Sequence, residues 1–593
     1  MRAILSLILV AFCLAPTKPN LQFPISNLQS PIADTWLTPY ERSGKVATST
    51  WADAISYYTR LARENKQVKI DEIGLADVGR PIHLVTISNS EVTDAADARK
   101  QGKRVLFINN AIHPGEPCGV DASMMLARDI LYKPGMQRLL DHTVICIIPL
   151  YNVGGSLNRG CCSRANQQGP QAYGFRGNAR NLDLNRDFVK CDSRNALAFS
   201  KVFQKWLPDF FIDTHTTNGA DYPAHITFIP SMSQKLPPML ASLMSDKVMP
   251  TITETLNKQG IPSSVYVNPL RWGNPPEQGL SAFADHPRYA TGYASLFGCL
   301  SLVTEAHMLK TFEQRVSATY ATLESGLTYL HNHHKAVGET IQKARQHILM
   351  QQTETLFWEL DRSQHDSIMY HGYAPKYKES TVTGSQQLYY DRTAPFSQNI
   401  PYYQTYTAKT QQKTPQAYIV PHAYRHVIER LKANGVEMRQ FSDDEEVEVE
   451  VSYIVSFKSR TTPWEGHFYH DEVITRTESE TLAFHTGDYL VPTDQAARAY
   501  IMHVLEPESH DSFFRWNFFD GILMQKEWFS AYVFEPEAEQ MLQNDDQLQL
   551  EFEQKLASDS AFAASPFMRL YYLYKKSPNF EPTYMRYPVG RVN

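Results

Sequence analysis

The residues that most clearly indicate chemistry are a histidine and a glutamate three positions apart, His113 and Glu116, in residues 109–116. A short apolar run, residues 104–109, precedes them, and a helical pattern follows. In such a turn both side chains can point at one metal ion, and imidazole and carboxylate are natural ligands of Zn²⁺. The pair also lies at the carboxyl end of a predicted strand, where open α/β sheets bind their ligands.

Two other His-x-x-Glu pairs occur in the chain, His426/Glu429 and His503/Glu506. About one such pair is expected by chance in a chain of this length and composition. Both pairs lie in amphipathic helical patterns beside apolar residues, so we interpret them as surface and packing residues. The position after a buried strand is therefore what distinguishes His113 and Glu116.

Three further polar segments have a comparable potential for chemistry. His215 follows an apolar strand and is either another metal ligand or a hydrogen-bonded core histidine. Residues 176–187 form a loop rich in Arg, Asn and Asp. Such a loop can bind a carboxylate, because Arg offers a planar fork of donors, or it can be a solvated surface loop. Glu305 ends the apolar run 300–304 and is either a general base or a strand-end charge.

In this order the four segments resemble the zinc carboxypeptidase family, the carboxypeptidase A type of metallopeptidase, over roughly residues 38–345. The resemblance depends on His113-x-x-Glu116, then Asp183-x-Asn185-Arg186, then His215, then Glu305. It implies one zinc ion per chain, held by His113, Glu116 and His215. It also implies that Glu305 is the general base of a hydrolytic reaction.

The resemblance assigns the polar loop to substrate and metal positioning. Asn185 and Arg186 would grip the terminal carboxylate of a peptide substrate. Asp183 would orient the first histidine ligand, as carboxylates beside metal-binding histidines commonly do.

Two further roles in the family have several candidates in this sequence. For the arginine that polarises the scissile carbonyl, spacing favours Arg164, with Arg159 and Arg176 as rivals. For the mobile tyrosine upstream of the base, the candidates are Tyr289 and Tyr293.

The elements that position these residues indicate an α/β fold. The resemblance implies a mixed, twisted sheet sandwiched by helices over residues 38–350. We predict that a smaller α+β domain with no assigned role follows over residues 355–593. The predicted strands are 81–88, 104–109, 143–150, 208–213 and 299–304, and the predicted helices include 49–63, 118–131 and 311–352. Strands separated by helices predict a layered sheet of this kind.

The C-terminal half differs in composition from the first half. Its acidic run 443–450 alternates with valines, which predicts a strand with one wet face. The aromatic stretch 389–406 fits either packing or a binding surface. All seven cysteines precede residue 300, and no cysteine spacing indicates a zinc site.

Composition excludes several classes of function. Of the 593 residues, 42% are hydrophobic and 20% are charged, as in ordinary globular proteins. The net charge of −6 argues against a general nucleic-acid or anionic-membrane binder. Beyond the N-terminus no apolar run is long enough to span a bilayer, so the mature chain should have no integral membrane segment.

The N-terminus resembles an export signal. Arg2 precedes the apolar residues 4–14, a stretch too short to span a bilayer comfortably, and we predict a signal peptide over residues 1–15. The protein would then be secreted or periplasmic. Lipoprotein anchoring at Cys13 is an alternative that Phe12 disfavours, because the position before the cysteine requires a small residue.

Together these observations predict an exported zinc metallocarboxypeptidase that acts on peptides with a free C-terminal carboxylate. Two alternatives use the same scaffold. One is an amidase that acts on cell-wall or γ-linked peptides through the same zinc site. The other is a catalytically inactive exported binding protein.

Overall fold

A computed structural model describes residues 34–271 and 273–593. The predicted signal peptide, residues 1–15, and the alternative anchor Cys13 lie outside the described residues. The strands are β1 (Val68–Leu75), β2 (Pro81–Ile87), β3 (Arg104–Asn109), β4 (Thr143–Ile148), β5 (Phe210–Thr216), β6 (Ile226–Pro230), β7 (Ser263–Val265), β8 (Leu280–Ser281), β9 (Leu300–Ala306), β10 (Thr353–Leu360), β11 (Asp366–Glu379), β12 (Gln386–Tyr403), β13 (Tyr406–Lys413), β14 (Ala417–Val420), β15 (Arg439–Gln440), β16 (Glu445–Ser459), β17 (His470–Phe484), β18 (Tyr489–Pro492) and β19 (Gly590–Val592).

The helices alternate with the strands in the first half of the chain and cluster again at its end. They are α1 (Pro39–Arg42), α2 (Trp51–Glu64), α3 (Ala95–Lys100), α4 (Cys118–Tyr132), α5 (Val153–Leu157), α6 (Arg194–Trp206), α7 (Pro238–Leu243), α8 (Met249–Lys258), α9 (Ala290–Ser295), α10 (Phe312–Asn332), α11 (His334–Met350), α12 (Arg425–Ala433), α13 (Arg498–Leu505), α14 (Ala531–Asn544), α15 (Asp546–Ser558), α16 (Ser560–Ala564) and α17 (Pro566–Tyr574).

An eight-stranded mixed sheet organises the N-terminal unit, residues 34–350. Its strand order is β1-β2-β4-β3-β5-β9-β6-β7. The four central strands, β4, β3, β5 and β9, are parallel, whereas β1, β2 and β6 run antiparallel to their inner neighbours. The central strands are almost completely buried, as their β-branched and aromatic composition predicts.

Helices cover both faces of this sheet. Residues of α2, α4, α8, α10 and α11 pack on one face in a single apolar cluster. On the other face, α6 and α9 pack in a cluster that continues into α12, α13 and β14. The predicted fold class, a mixed sheet between helices with a further C-terminal domain, is confirmed.

The C-terminal region, residues 353–593, is rich in strands. A six-stranded sheet has the order β15-β18-β14-β19-β16-β17, and residues 445–450 of the predicted acidic strand lie in β16. β10 pairs with β13, and β11 pairs with β12, which continues in parallel onto β8 of the N-terminal unit. Helices α14–α17 enclose a small apolar cluster of their own.

The two halves of the chain share one core on the second face of the sheet. Phe203 of α6 and Tyr293 of α9 belong to the same apolar cluster as Val427 of α12 and Tyr500 of α13. Because this core includes residues from both sides of residues 350–355, the domain boundary there remains our proposal.

Cys161 and Cys162 form a disulfide, while Cys118, Cys146, Cys191 and Cys299 are buried and free. In the described part of the chain, no helix has the length and hydrophobicity needed to cross a bilayer.

Candidate metal centre

Three buried side chains meet at the carboxyl end of the central strands. His113 and Glu116 lie in the turn between β3 and α4, and His215 lies near the end of β5. The Nδ1 atom of His113 is 3.3 Å from Oε1 of Glu116, and Nδ1 of His215 is 3.1 Å from Oε2 of the same carboxylate. The three ligand atoms lie within 4.8 Å of one another.

The close approach of α4 to β5 helps to place Glu116 beside His215. At Gly119, in the first turn of α4, a Cβ atom would lie 2.0 Å from Oγ1 of Thr214. Glycine is therefore needed for this approach. The backbone N–H of Thr216 then donates to Oε2 of Glu116 at 2.9 Å, which fixes the carboxylate against the strand end.

These donors fit a zinc ion. Nδ1 of His113 is buried and has no hydrogen-bond partner among the described residues. Burial disfavours the imidazolium of His215, but the carboxylates of Asp213 and Glu116 outweigh it and raise the pKa of His215 well above its ordinary value. Two imidazoles and one carboxylate lie here in surroundings that favour positive charge. Such a set would bind Zn²⁺ and leave one of its coordination positions open.

Each histidine is held by a carboxylate on its other ring nitrogen. Nε2–H of His113 donates to Asp183 at 2.8 Å, the contact that the family resemblance implies. Nε2–H of His215 donates to Asp213 at 3.0 Å, a contact that we did not predict. The sequence does contain the information for this contact, because residues two apart in a strand share a face and Asp213 precedes His215 by two. Both contacts leave Nδ1 of the histidines facing Glu116.

Glu305 lies on β9, next to the ligand strand β5, and lines the cavity above the three ligands. Burial raises the pKa of its carboxyl group to about 7, with His215 opposing and Glu116 adding to the shift. A carboxylate with a raised pKa beside a metal site is suited to accept a proton near neutral pH.

The cavity extends from the ligands to the polar loop. Its empty volume is about 620 Å³, including the part open to solvent. Asn185 and Arg186 line it, and the guanidinium of Arg186 lies 4.7 Å from the ring centre of Tyr289, which also lines it. The remaining lining residues are His113, Glu116, Arg176, His215, Thr216, Thr217, Asn218, Ile229, Tyr266, Phe283, Thr291, Val303 and Glu305.

The three candidate arginines have different surroundings. Arg164 lies behind Glu116: its Nη1 is 2.5 Å from Oε1 of Glu116, its Nη2 donates to the carbonyl oxygen of Thr216, and its side chain is only 11% exposed. Arg159 donates to the carbonyl oxygen of Thr48. Neither lines the cavity. Arg176 does, with 41% of its side chain exposed and its Nε–H bonded to Asp183.

The two tyrosine candidates also differ. Tyr289 lines the cavity, but Tyr293 is fully buried one helical turn further along α9 and donates to Asn434 at 2.7 Å. Tyr293 therefore has no access to a substrate in this cavity, because the turn of α9 directs it into the shared core. Tyr266, which we did not consider from the sequence, lines the cavity instead.

The two chance His-x-x-Glu pairs lie away from this cavity. His426 is exposed on α12 and contacts the carbonyl oxygen of Phe518. His503 is buried on α13, and its partner in sequence, Glu506, pairs with Arg591. Their interpretation as surface and packing residues agrees with these contacts.

Comparison with known proteins agrees with this geometry. Residues 55–206 match the sequence profile of the family described as "Zinc carboxypeptidase". The matched segment includes His113, Glu116, Asp183 and the Asn185–Arg186 pair, and it ends before His215 and Glu305. The resemblance to this family is confirmed, and with it the predicted enzyme class, a zinc metallocarboxypeptidase.

Several named relatives align over most of the chain. "Carboxypeptidase 2" of Trichophyton rubrum is 22% identical over 478 residues, which cover 77% of this chain and 81% of the relative. "Probable carboxypeptidase 2" of Arthroderma benhamiae is 21% identical over 476 residues, with 77% and 83% covered. These alignments are longer than residues 34–350, so they include parts of the C-terminal region.

Among solved structures, a metallo-carboxypeptidase from Burkholderia cenocepacia superposes with a TM-score of 0.35 at 21% identity, covering 46% of this chain and 68% of that one. A metallo-carboxypeptidase from Pseudomonas aeruginosa superposes with a TM-score of 0.34 at 16% identity, covering 48% and 68%.

Proposed function

We propose that the protein is a zinc-dependent carboxypeptidase that removes the C-terminal residue of peptides. One observation carries this proposal: Asn185 and Arg186 line the same cavity as the His113–Glu116–His215 cluster and Glu305. The pair that would bind a carboxylate and the glutamate that would accept a proton thus face the same cavity as the three candidate metal ligands. The family match and the carboxypeptidase names of the relatives support the same activity.

The reaction needs a substrate carbonyl, a water molecule and a proton carrier in this cavity. One zinc ion per chain, held by His113, Glu116 and His215, would polarise the carbonyl and acidify the water. The carboxylate of Glu305 accepts the proton of the attacking water and returns it to the leaving amine. The guanidinium of Arg186 binds the terminal carboxylate, with the side-chain amide of Asn185 beside it.

For the group that stabilises the developing oxyanion we propose Arg176 in place of Arg164. Arg176 lines the cavity and its side chain is 41% exposed, whereas Arg164 does not line it and is 11% exposed. A charged donor aimed at the place where negative charge develops contributes most when it is held in advance, and Asp183 holds Arg176. Tyr266 and Tyr289 line the space that the substrate would fill.

Three apolar side chains, Ile229, Phe283 and Val303, also line the cavity, and no charged residue other than those already named does so among the described residues. We propose that it receives an apolar C-terminal side chain, since an ionised one would lose its hydration there without a partner.

We also propose that the protein is exported. The pattern of residues 1–15 supports this, although those residues lie outside the described part of the chain. The Cys161–Cys162 disulfide is compatible with an oxidising compartment.

The proposed activity is tested with a pair of peptides that share one sequence and differ only at the C-terminus, one a free acid and the other an amide. We expect the parent enzyme to shorten the acid one residue at a time and to cleave the amide about 30- to 1,000-fold more slowly, because the amide loses the charge-assisted bonds to Arg186. Arg186→Ala should slow cleavage of the acid and leave the amide rate nearly unchanged. Mass spectrometry of the products reports both.

Equal rates on the two peptides, or mainly internal cleavage, would contradict a carboxypeptidase. In that case cell-wall and γ-linked peptides should be tried, because the amidase alternative uses the same cluster of ligands. Binding of the acid peptide without turnover by the zinc-loaded protein would favour the inactive binding protein.

A further inference from the structure

The polar loop that carries Asp183, Asn185 and Arg186 is held by the C-terminal region. We call residues 176–192 the clamp loop and residues 460–469, the connection between β16 and β17, the brace. The brace contacts the clamp loop directly, through residues that lie 275 and 282 positions further along the chain than their partners. The brace lies outside the segment that matches the family profile, which ends at residue 206.

The central contact joins Glu465 to the backbone of Asp183. The amide N–H of Asp183 donates to Oε2 of Glu465 at 2.7 Å. The side chain of Asp183 meanwhile accepts from His113 and from the N–H of Asn185. Glu465 therefore fixes the backbone of the residue that joins the metal ligand His113 to the carboxylate-reading pair.

A second contact holds the far end of the clamp loop. His467 of the brace lies 2.6 Å from Asp192, which also pairs with Lys190 and with Arg430 of α12. The ion-paired Asp192 thus attaches the end of the loop to two elements of the C-terminal region. With Glu465 at one end and His467 at the other, the brace spans the segment that contains Asn185 and Arg186.

The brace is itself fixed on a buried cation. The guanidinium of Arg288 lies 4.8 Å from the ring centre of Trp464 and 5.0 Å from that of Trp516, and its Nε is 2.7 Å from Asp511. Trp464 immediately precedes Glu465. Because Arg288 immediately precedes Tyr289, which lines the cavity, the same anchor joins the brace to the cavity wall.

The backbone of Glu465 shows that this position is constrained. Its φ is +50°, in the left-handed region that residues other than glycine rarely adopt, and the adjacent Gly466 has φ +84°. A non-glycine residue held there costs free energy that the surrounding contacts must offset. Its side chain is directed at Asp183 by this turn.

We propose that Glu465 is a positioning residue for recognition of the substrate carboxylate: by fixing the backbone of Asp183 it sets where Asn185 and Arg186 stand relative to the metal ligands. The C-terminal region thereby completes the substrate-binding site of the N-terminal unit. This inference rests on the proposed carboxypeptidase function.

The test compares variants of the full-length, zinc-loaded protein on the acid and amide peptides. Glu465→Ala removes the acceptor, Glu465→Asp keeps the charge but shortens the reach, and Glu465→Gln keeps an oxygen that can accept from Asp183. The matched control is Glu472→Ala on β17, since Glu472 is 68% exposed and its one ion pair among the described residues is with Lys458. Hydrogen–deuterium exchange of residues 178–187 reports the bond itself.

We expect Glu465→Ala and Glu465→Asp to raise KM for the acid peptide about tenfold with kcat within twofold. This is the result when an interaction is lost equally from the bound substrate and from the transition state. The amide rate should not change, and exchange of residues 178–187 should become faster. Glu465→Gln should restore KM to within about threefold of the parent. A purely structural role would instead lower kcat on both peptides, or would show no rescue by Gln.

The inference is wrong if Glu465→Ala behaves like Glu472→Ala on the acid peptide, or if exchange of the clamp loop is unchanged. A failure of the proposed function is distinguishable, because it would appear in the parent enzyme as a missing preference for the acid peptide. If Glu465→Ala does not fold, the comparison of Glu465→Asp with Glu465→Gln still decides between the two outcomes.

Discussion

His215 and Glu305 are register partners on the neighbouring parallel strands β5 and β9. Partners in a parallel ladder keep their separation, because the hydrogen bonds between the strands fix it. A candidate metal ligand and the candidate base are therefore placed relative to each other by the centre of the sheet. His113 and Glu116 reach the same edge from the end of β3, the other neighbour of β5.

Replacement of His215 by Ala should abolish zinc binding. Two ligands of three would remain, and Asp213 would lose the imidazole it holds. Elemental analysis after dialysis should show about one zinc ion per chain in the parent and far less in His215→Ala, with loss of peptide cleavage. His426→Ala is the matched control, since His426 also belongs to a His-x-x-Glu pair, and it should retain its zinc. Full zinc occupancy in His215→Ala would disprove the ligand assignment.

Glu305→Gln should separate metal binding from chemistry. Glutamine has nearly the same shape but cannot accept the proton, and general bases typically contribute about 10²–10⁴ in rate. We expect kcat to fall by at least that factor while the zinc content stays unchanged. Steady-state kinetics on the acid peptide with parallel metal analysis measures both. If turnover stayed within about threefold of the parent, Glu305 would be only a charge at the end of β9.

Arg176→Ala and Arg164→Ala should lose activity for different reasons, the first through a lower kcat and the second through weaker zinc binding. Loss of Arg176 removes a donor from the cavity and should lower kcat by about 10²–10³ even at saturating zinc. Arg176 also pairs with Asp183 and lies 3.3 Å from Glu116, so zinc binding is measured in this variant too. Loss of Arg164 removes the partner 2.5 Å from Glu116 and should weaken zinc binding by about 10–100-fold. Metal titration followed by kinetics at saturating zinc distinguishes them. A large loss of kcat in zinc-saturated Arg164→Ala, with Arg176→Ala unaffected, would restore the assignment to Arg164.

The pH profile of kcat/KM should have an acid limb that belongs to Glu305. Burial raises the pKa of this group from 4.5 to about 7, and a bound cation would lower it again. Since only the ionised form is a base, activity should fall as pH falls through this pKa, with a midpoint between about 4.5 and 7. Rates measured from pH 4 to pH 9 give the midpoint. Activity that does not fall between pH 7 and pH 4 would be incompatible with this role.

The buried pair Arg288–Asp511 should contribute strongly to stability. The two side chains are 2.7 Å apart and 4% and 0% exposed, and they join the two halves of the chain. Asp511→Ala leaves the arginine buried without its partner, which typically costs about 3–5 kcal/mol of unfolding free energy. Chemical denaturation measures this change, with the exposed Glu472→Ala expected to stay within about 1 kcal/mol of the parent. A similarly small change in Asp511→Ala would show that the pair adds little.

The sequence by itself determined where the candidate ligands and the candidate base lie relative to the strands. Runs of buried apolar residues define β3, β5 and β9, and the residues that follow or end those runs are His113, Glu116, His215 and Glu305. Parallel strands end at one edge of a sheet, so the hydrophobic pattern explains why these four residues lie near one another. Their selection as metal ligands and base depended on the resemblance to the zinc carboxypeptidase family. Asp213 was accessible to the same reasoning, because its spacing from His215 places both on one face of β5.

Only the tertiary structure decided which arginine and which tyrosine enter the cavity. Arg164 and Arg176 lie in connections whose paths depend on packing against distant residues, and spacing alone favoured Arg164, which the fold places behind Glu116. Tyr293 is one turn after Tyr289, and the shared core formed with α12 buries it. The contact of Glu465 with Asp183 joins positions 282 residues apart. No local pattern encodes it, because it exists only once the C-terminal region has packed onto the N-terminal unit.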